Sequence, residues 1–155
     1  MAQDDNAAMM ISGRCYCGAT TVHGEKPPQI VTYCHCDDCR RLSGAPVSAF
    51  AAFGENDITF EPDEGQTVEV VQGARRSFCR QCGSSTIALY DYAPGQVFVP
   101  IGILDQADQF APVQHAHAGR CLSWLKIDDT AERIAESSRT QLAAARGKVQ
   151  KPGDA

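Results

Sequence analysis

Short apolar segments alternate with turn-forming residues over most of the chain. The segments are rich in Val, Ile, Thr, Phe and Tyr, and Gly, Pro, Asn and Asp separate them. Segments of this length and composition are typical of β-strands. The pattern predicts strands at residues 19–22, 30–33, 47–53, 58–60, 67–71, 86–90 and 97–103. Pro100 lies inside the last of these and predicts an edge strand or a bulge there, because proline cannot donate a ladder hydrogen bond.

The pattern changes towards both ends of the chain. Residues 1–12 carry several polar side chains and little to bury, so they predict a flexible leader. Residues 13–128 form the body, a single mainly β domain, which suits a chain of 155 residues. Residues 129–155 predict a polar helical tail that is capped at Asp128 or Asp129 and stops at Gly147. The apolar stripe of this helix is thin, with only Ala131, Ile134, Ala135 and Leu142.

Charge and hydropathy exclude several classes of function. The formal net charge is −5 and the pI is 5.3, and basic residues are scattered, which disfavours a nucleic-acid partner. The first residues lack the cationic start and apolar stretch of a secretory signal. Since no apolar run approaches the length of a membrane span, we expect no membrane partner and a cytoplasmic location.

Eight cysteines are many for a cytoplasmic domain of this size. Disulfides explain them poorly in a reducing compartment, whereas metal binding or redox chemistry explains them well. Seven of the eight form closely spaced groups, which lets one turn of backbone present two thiolates to one ion. The groups are Cys15 with Cys17, then Cys34, Cys36 and Cys39, then Cys79 with Cys82.

Ligand counting divides these groups between two zinc ions. The CxC and CxxC pairs, Cys15, Cys17, Cys79 and Cys82, together close a four-sulfur structural site. The CxCxxC group supplies three thiolates and leaves one position open, as catalytic zinc sites do. Counting does not force this partition, because a fourth ligand from His35, His115, His117, an acidic side chain or Cys121 could close the second site.

The second site favours thiol chemistry over hydrolysis. Three thiolates give a zinc cluster a charge of about −1, so the ion activates water less well than one held by neutral histidines, and its soft sulfur ligands suit exchange with another thiol. Arg40 and Arg41 follow Cys39 directly and could offset the negative charge of an incoming thiolate.

Other interpretations of the cysteines stay open at this point. Both groups could be purely structural. A redox pair at Cys79 and Cys82 lacks the βαβ context of thioredoxin-like proteins, and the spacing of a typical iron–sulfur motif is missing. Cys121 is interpreted as a buried small hydrophobic residue.

The motifs resemble the glutathione-dependent formaldehyde-activating family, which also contains centromere protein V. The resemblance covers about residues 13–125. The motifs that carry it are GRCYCGAT at 13–20, YCHCDDCRRLSGAP at 33–46, RSFCRQCGSSTIALY at 76–90, GILDQAD at 102–108 and a late Trp124.

The resemblance implies a zinc-stabilised fold of the β-tent type and the ligand partition argued above. It also implies a carbon–sulfur lyase activity that joins glutathione to formaldehyde. In that reaction a glutathione thiol binds at the second zinc, loses its proton and attacks the aldehyde. His35 is our candidate for the acid that protonates the product alkoxide. Arg40, Arg41, Arg75 and Arg76 are candidates for binding the glutathione carboxylates.

Two rival functions remain. In the first, the protein is a non-catalytic zinc module that carries a thiol or docks another protein. In the second, it reduces methionine sulfoxide with Cys121 as the nucleophile, although the residues around Cys121 do not resemble such a site.

Overall fold

The computed structural model describes residues 9–146, which form two β-sheets and two short α-helices. In chain order the elements are β1 Ile11–Arg14, β2 Thr21–Gly24, β3 Ile30–Cys34, α1 Asp37–Ser43, β4 Ser48–Gly54, β5 Ile58–Glu61, β6 Gln66–Val71, β7 Ala74–Phe78, β8 Ser85–Tyr90, β9 Gln96–Pro100, β10 Gln114–Ala116, β11 Glu132–Arg133 and α2 Arg139–Arg146. The prediction of a mainly β domain with a C-terminal helix is confirmed. Neither α-helix described between residues 9 and 146 has the length and apolar content needed to cross a membrane.

The larger sheet has eight strands in the order β11-β10-β3-β4-β9-β8-β7-β6. Its neighbours are antiparallel except β10, which runs parallel to both β3 and β11. The smaller sheet has three antiparallel strands in the order β1-β2-β5. Because β3 and β4 lie near the middle of the larger sheet, the second cysteine group, which begins at the end of β3, sits beside the core.

Strand β4 is buried on both faces of the larger sheet. Ala51 and Phe53 belong to a core that the smaller sheet covers, whereas Ala52 packs in a second cluster that includes Leu142 of α2. Successive side chains of a strand point to opposite faces, so one strand serves both clusters. The C-terminal helix is therefore part of the packed domain.

The segment after Asp128 differs from its prediction, because no helix begins at residue 129. Residues 132–136 instead lie beside residues 113–119, and the first two of them form strand β11. Ile134 N donates to His115 O (2.9 Å), and the amides of His117 and Ala118 donate back to Glu136 O and Ile134 O (both 2.8 Å). These long-range bonds satisfy the backbone groups that a helix would have paired locally, and they override helix propensity. The predicted stop at Gly147 lies outside the described residues.

The leader and Pro100 also differ from their predictions. Ile11 is fully buried in β1, so the part of the leader at residues 11 and 12 belongs to the domain, and residues 1–8 lie outside the described range. Pro100 ends β9, which is an interior strand between β4 and β8, so the prediction of an edge or bulge at Pro100 is wrong. The sequence pattern also missed α1 and the strands β1, β7, β10 and β11.

Candidate metal centres

The four cysteines of the CxC and CxxC groups come together at one point. Their ligand atoms all lie within 4.8 Å of one another. Cys17 Sγ is 3.6 Å from Cys15 Sγ and 3.8 Å from Cys79 Sγ. A tetrahedral zinc with bonds of about 2.3 Å to sulfur places its sulfur atoms about 3.8 Å apart. The spacing therefore fits a closed four-thiolate site, which we call the first cluster (Cys15, Cys17, Cys79 and Cys82).

Two matching turns build the first cluster. Cys15 follows β1 and Cys79 follows β7, and in each turn a glycine amide donates back to the leading cysteine. Gly18 N lies 3.1 Å from Cys15 O, and Gly83 N lies 2.9 Å from Cys79 O. Both glycines have positive φ, 81° and 77°, where other residues are strained. The glycine after each cysteine pair thus lets the chain turn so that both thiols face one point.

Hydrogen bonds prepare two thiols of the first cluster for ionisation. Burial alone would raise the pKa of Cys15, but the amide of Thr20 and the neighbouring thiols lower it. The hydroxyl and amide of Ser84 lower the pKa of Cys82 to about 5. Since only thiolates bind zinc, these bonds favour metal binding.

The three cysteines of the CxCxxC group form the second cluster (Cys34, Cys36 and Cys39), whose sulfur atoms also lie within 4.8 Å of one another. Cys34 ends β3, Cys36 caps α1, and Cys39 lies in its first turn. Cys36 Sγ accepts the amide of Cys39 at 3.3 Å, as a capping side chain does. Three sulfur ligands leave one corner of a tetrahedron for another group, so the donor set fits a metal with an open position.

The three thiols of the second cluster share one negative charge. Hydrogen bonds from Cys34 and Cys39 lower the pKa of Cys36 to about 2. The bond to Cys36 in turn raises the pKa of Cys34 to about 11, and the bonds with Cys34 and Cys36 raise the pKa of Cys39. In the metal-free cluster these hydrogen bonds therefore favour the thiolate form at Cys36 and the thiol form at Cys34 and Cys39.

Metal loading of the second cluster should release about two protons at pH 7, from Cys34 and Cys39, because a bound metal needs all three as thiolates. Protons compete with the metal, so the apparent affinity should fall as the pH is lowered. Proton release can be followed with an indicator dye in weak buffer during zinc titration. The control is a variant with serine at all three positions. If both proteins released equal numbers of protons, this charge assignment would be wrong.

A cavity of about 50 Å³ lies beside the second cluster. Cys34 and Cys39 line it, together with four aromatic rings and three residues of the C-terminal region, which are Phe50, Tyr90, Tyr92, Phe98, Ser137, Ser138 and Leu142. Burial raises the pKa of Tyr92 to about 12 and that of Tyr90 further, so both hydroxyls stay protonated. The volume suits a few water molecules or a molecule of similar size.

His35 does not reach this cavity. Its ring is almost fully buried and its Nε2 lies 2.8 Å from His115 Nδ1, while His115 Nε2 lies 3.0 Å from a carboxylate oxygen of Asp129. His115 therefore bridges the carboxylate of Asp129 and the ring of His35 through its two nitrogens. Burial and the neighbouring His115 lower the pKa of His35, which keeps it neutral. The structure thus places His35 in a buried hydrogen-bonded chain that faces away from the cavity.

His117 is the histidine that lines the cavity. Its backbone has φ 52° and ψ 41°, in the left-handed region that non-glycine residues rarely adopt. The amide of His117 donates to Glu136 O, so the C-terminal segment helps to hold this conformation. Sequence spacing gave His117 only as one of several possible fourth ligands. Strained residues of this kind concentrate at functional sites.

Of the four predicted arginines, Arg76 approaches the second cluster. Its guanidinium lies 5.5 Å from the centre of the Tyr90 ring, and Nη2 is 3.4 Å from the Tyr90 hydroxyl. Burial alone would lower the pKa of Arg76, but Tyr90 and Cys39 raise it. Arg76 and Arg41 also line a surface groove of about 260 Å³.

The other two arginines are held by carboxylates. Arg40 pairs with Asp37 at 2.7 Å and donates to Arg120 O at 2.7 Å. Arg75 pairs with Asp91 at 3.4 Å. Neither lines the groove or the cavity.

Cys121 is exposed, so its interpretation as a buried hydrophobic residue is wrong. It belongs to neither cluster, and it lines a separate pocket beside His35 and His115. Sequence reasoning missed Asp129, Tyr90, Tyr92 and Leu142 as site residues. Tyr90 ends the motif at 76–90, but nothing in that motif marks its side chain, and the other three lie outside the motifs.

Comparison with known proteins gives a family match over most of the chain. Residues 10–120 match the family model of the glutathione-dependent formaldehyde-activating enzyme. A crystal structure of a Rhodobacter sphaeroides protein, a Northeast Structural Genomics target, is 22% identical, covers 61% of this chain and 87% of its own, and superposes with a TM-score of 0.49. A search of curated proteins finds no match. The family match spans more than half of the chain, including both cysteine clusters, and the chain therefore belongs to the glutathione-dependent formaldehyde-activating family.

Proposed function

We propose that this protein is a zinc-dependent carbon–sulfur lyase that joins glutathione, or a similar thiol, to formaldehyde or another small aldehyde. The observation that carries the proposal is the second cluster, whose three thiols leave one ligand position open and two of which, Cys34 and Cys39, line a small cavity. Membership of the family supports glutathione and formaldehyde as the substrates.

Each cluster would hold one zinc ion. Cys15, Cys17, Cys79 and Cys82 would hold a zinc that stabilises the fold, and Cys34, Cys36 and Cys39 would hold the second. The second zinc, when bound, would act as a Lewis acid that lowers the pKa of a bound thiol, so that the thiol ionises at neutral pH.

The residues around the cavity favour addition of a thiolate to an aldehyde. The new bond joins sulfur to the carbonyl carbon, and the carbonyl oxygen takes up a proton as the carbon–oxygen double bond becomes single. The aromatic lining restricts water at the reacting carbon. The sequence favours His35 as the proton donor, but that ring faces His115. We therefore assign the donor role to His117 and a positioning role to His35.

The arginine groove fits the charged part of glutathione. Arg41 and Arg76 present two cations along a groove that reaches the second cluster through Arg76, and glutathione carries two carboxylates. Arginine binds carboxylates with paired, charge-assisted hydrogen bonds. Arg40 and Arg75 are already paired with Asp37 and Asp91, so we expect less from them.

The proposal is tested by exchange NMR on glutathione and ¹³C-formaldehyde at equilibrium with the zinc-loaded protein. We expect faster interconversion of free formaldehyde and the thiol adduct than in buffer alone. In Arg76→Gln, KM for glutathione should rise about tenfold, as expected for loss of a charged hydrogen bond. Arg75→Gln is the matched control because Arg75 lies on the same strand but faces Asp91.

The main rival predicts a different outcome of the same experiment. A zinc-stabilised module that carries a thiol would bind glutathione at the second cluster without accelerating the exchange. Full zinc loading, glutathione binding and an uncatalysed rate would replace our proposal with that function.

A further inference from the structure

The C-terminal segment, residues 129–146, lies beyond the family match, which ends at residue 120. It nevertheless forms part of the cavity at the second cluster. Ser137, Ser138 and Leu142 line that cavity together with Cys34 and Cys39. The cavity therefore has one wall that the family match does not include.

The end of this segment is fixed firmly against the domain. Leu142 is only 6% exposed, and its carbonyl accepts from Gln96 Nε2 at 3.1 Å. Arg146 donates to Pro94 O at 2.9 Å, and the guanidinium of Arg139 stacks 4.2 Å above the Tyr92 ring. Tyr92 also lines the cavity. Helix α2 therefore contributes Leu142 to the lining and packs against a second lining residue, Tyr92, through Arg139.

The start of the segment is anchored as well. The carboxylate of Asp129 accepts from His115, and the backbone at residues 134–136 bonds to residues 115–119. One of these bonds joins Glu136 O to the amide of His117, another lining residue. The segment is therefore bonded to the rest of the domain near its start and near its end, and its position does not depend on the packing of α2 alone.

We propose that Leu142 is a specificity-determining residue, whose side chain bounds the space at the second cluster and so restricts the size of the carbonyl substrate. This inference rests on the proposed function. Leu142 packs against Phe98 and the neighbouring alanines of β4 and β8, so it cannot move aside without opening the second hydrophobic cluster. The space that remains beside Cys34 and Cys39 is small, about 50 Å³, so a shorter side chain at residue 142 should admit larger carbonyl compounds.

A purely structural role for Leu142 gives different expectations. Shortening a buried leucine lowers stability by a few kcal/mol wherever it lies in a core. Only a residue that limits the cavity also changes which molecules reach Cys34 and Cys39. Leu104→Ala is the matched control, because Leu104 is 4% exposed in the other hydrophobic cluster and does not line the cavity.

The test compares two maleimides of one chemistry and different size, N-methylmaleimide and N-phenylmaleimide, on the zinc-loaded protein. Peptide mass spectrometry follows modification at Cys34 and Cys39, with exposed Cys121 as the internal reference. We expect Leu142→Ala to raise the relative rate of the phenyl reagent at the two cavity cysteines roughly tenfold, and Leu142→Phe to lower both rates. Cys121 should be unchanged in each variant, and melting curves confirm folding.

Aldehyde assays complete the test. In Leu142→Ala, kcat/KM for propionaldehyde relative to formaldehyde should rise roughly tenfold. Equal changes in Leu104→Ala, or an unchanged maleimide ratio in Leu142→Ala, would overturn the inference. A wild-type protein that accelerates no aldehyde reaction would contradict the proposed function instead, and the maleimide ratio would still decide whether Leu142 closes the cavity.

Discussion

A protein in which Cys79 is replaced with serine should be unfolded at room temperature and show no cooperative unfolding transition on heating. Cys79 is 2% exposed, and its sulfur meets that of Cys17 across 62 positions of the chain, so the first cluster joins the end of β1 to the end of β7. Serine is a poor zinc ligand, so the substitution leaves three sulfur ligands and weakens the metal site that holds the two turns together. Structural zinc contributes about 10 kcal/mol or more in small domains, which is comparable to the whole stability of a typical one.

The measurement is a thermal melt by circular dichroism, together with zinc content per chain. Cys121→Ser is the control, because it makes the same chemical change at an exposed cysteine outside both clusters. We expect the control to melt like the wild type. A Cys79→Ser protein that melted at the wild-type temperature with unchanged zinc would show that the first cluster is not structural.

Both cysteine clusters were predictable from the sequence because their ligands come in local pairs. A CxC or CxxC turn fixes the distance between two thiols within a few residues, and Gly18 and Gly83 mark where each turn reverses. Ligand counting favoured joining the pairs Cys15–Cys17 and Cys79–Cys82, since two pairs complete a tetrahedron, although it did not force that partition. The structure brings these four sulfur atoms together as predicted.

The C-terminal helix begins at Arg139 and not at the predicted cap, Asp128 or Asp129, for a physical reason. Residues 129–138 contain good helix formers, but their backbone groups pair with residues 113–119, and that pairing depends on positions that local pattern does not encode. Strand β7 was missed because its residues, Arg75 and Arg76 among them, are largely polar. It lies between β6 and β8, with long side chains directed to the surface and to the second cluster.

The role given to His35 shows a different limit of sequence reasoning. Its position between Cys34 and Cys36 suggests a place at the metal, yet side chains alternate along extended backbone, so the thiols and the ring face opposite ways. His117 reaches the cavity only because its left-handed backbone is held by the segment at Glu136. That contact joins the residue after β10 to Glu136, in a segment whose conformation the sequence did not predict.

Replacing Cys36 with serine should remove the activity while leaving the fold intact. Cys36 caps α1 by accepting the amide of Cys39, and a serine hydroxyl is a preferred cap, so α1 should persist. The substitution removes the thiol that carries the negative charge of the second cluster. Removing a residue that only hydrogen-bonds to a metal ligand lowers metal affinity or activity about 10- to 100-fold. Removing a ligand itself should therefore lower kcat/KM by roughly a hundredfold or more.

The matched comparison is Cys17→Ser, which makes the same exchange in the first cluster. If the two clusters divide structure and chemistry, Cys17→Ser loses the cooperative melt, whereas Cys36→Ser keeps it and loses one zinc together with the rate enhancement. Exchange NMR, zinc content and melting of both variants decide between these outcomes. A Cys36→Ser protein with full activity would place the reaction away from the three thiols. Loss of the melt in both variants would instead mean that both metals support the fold, as the purely structural interpretation holds.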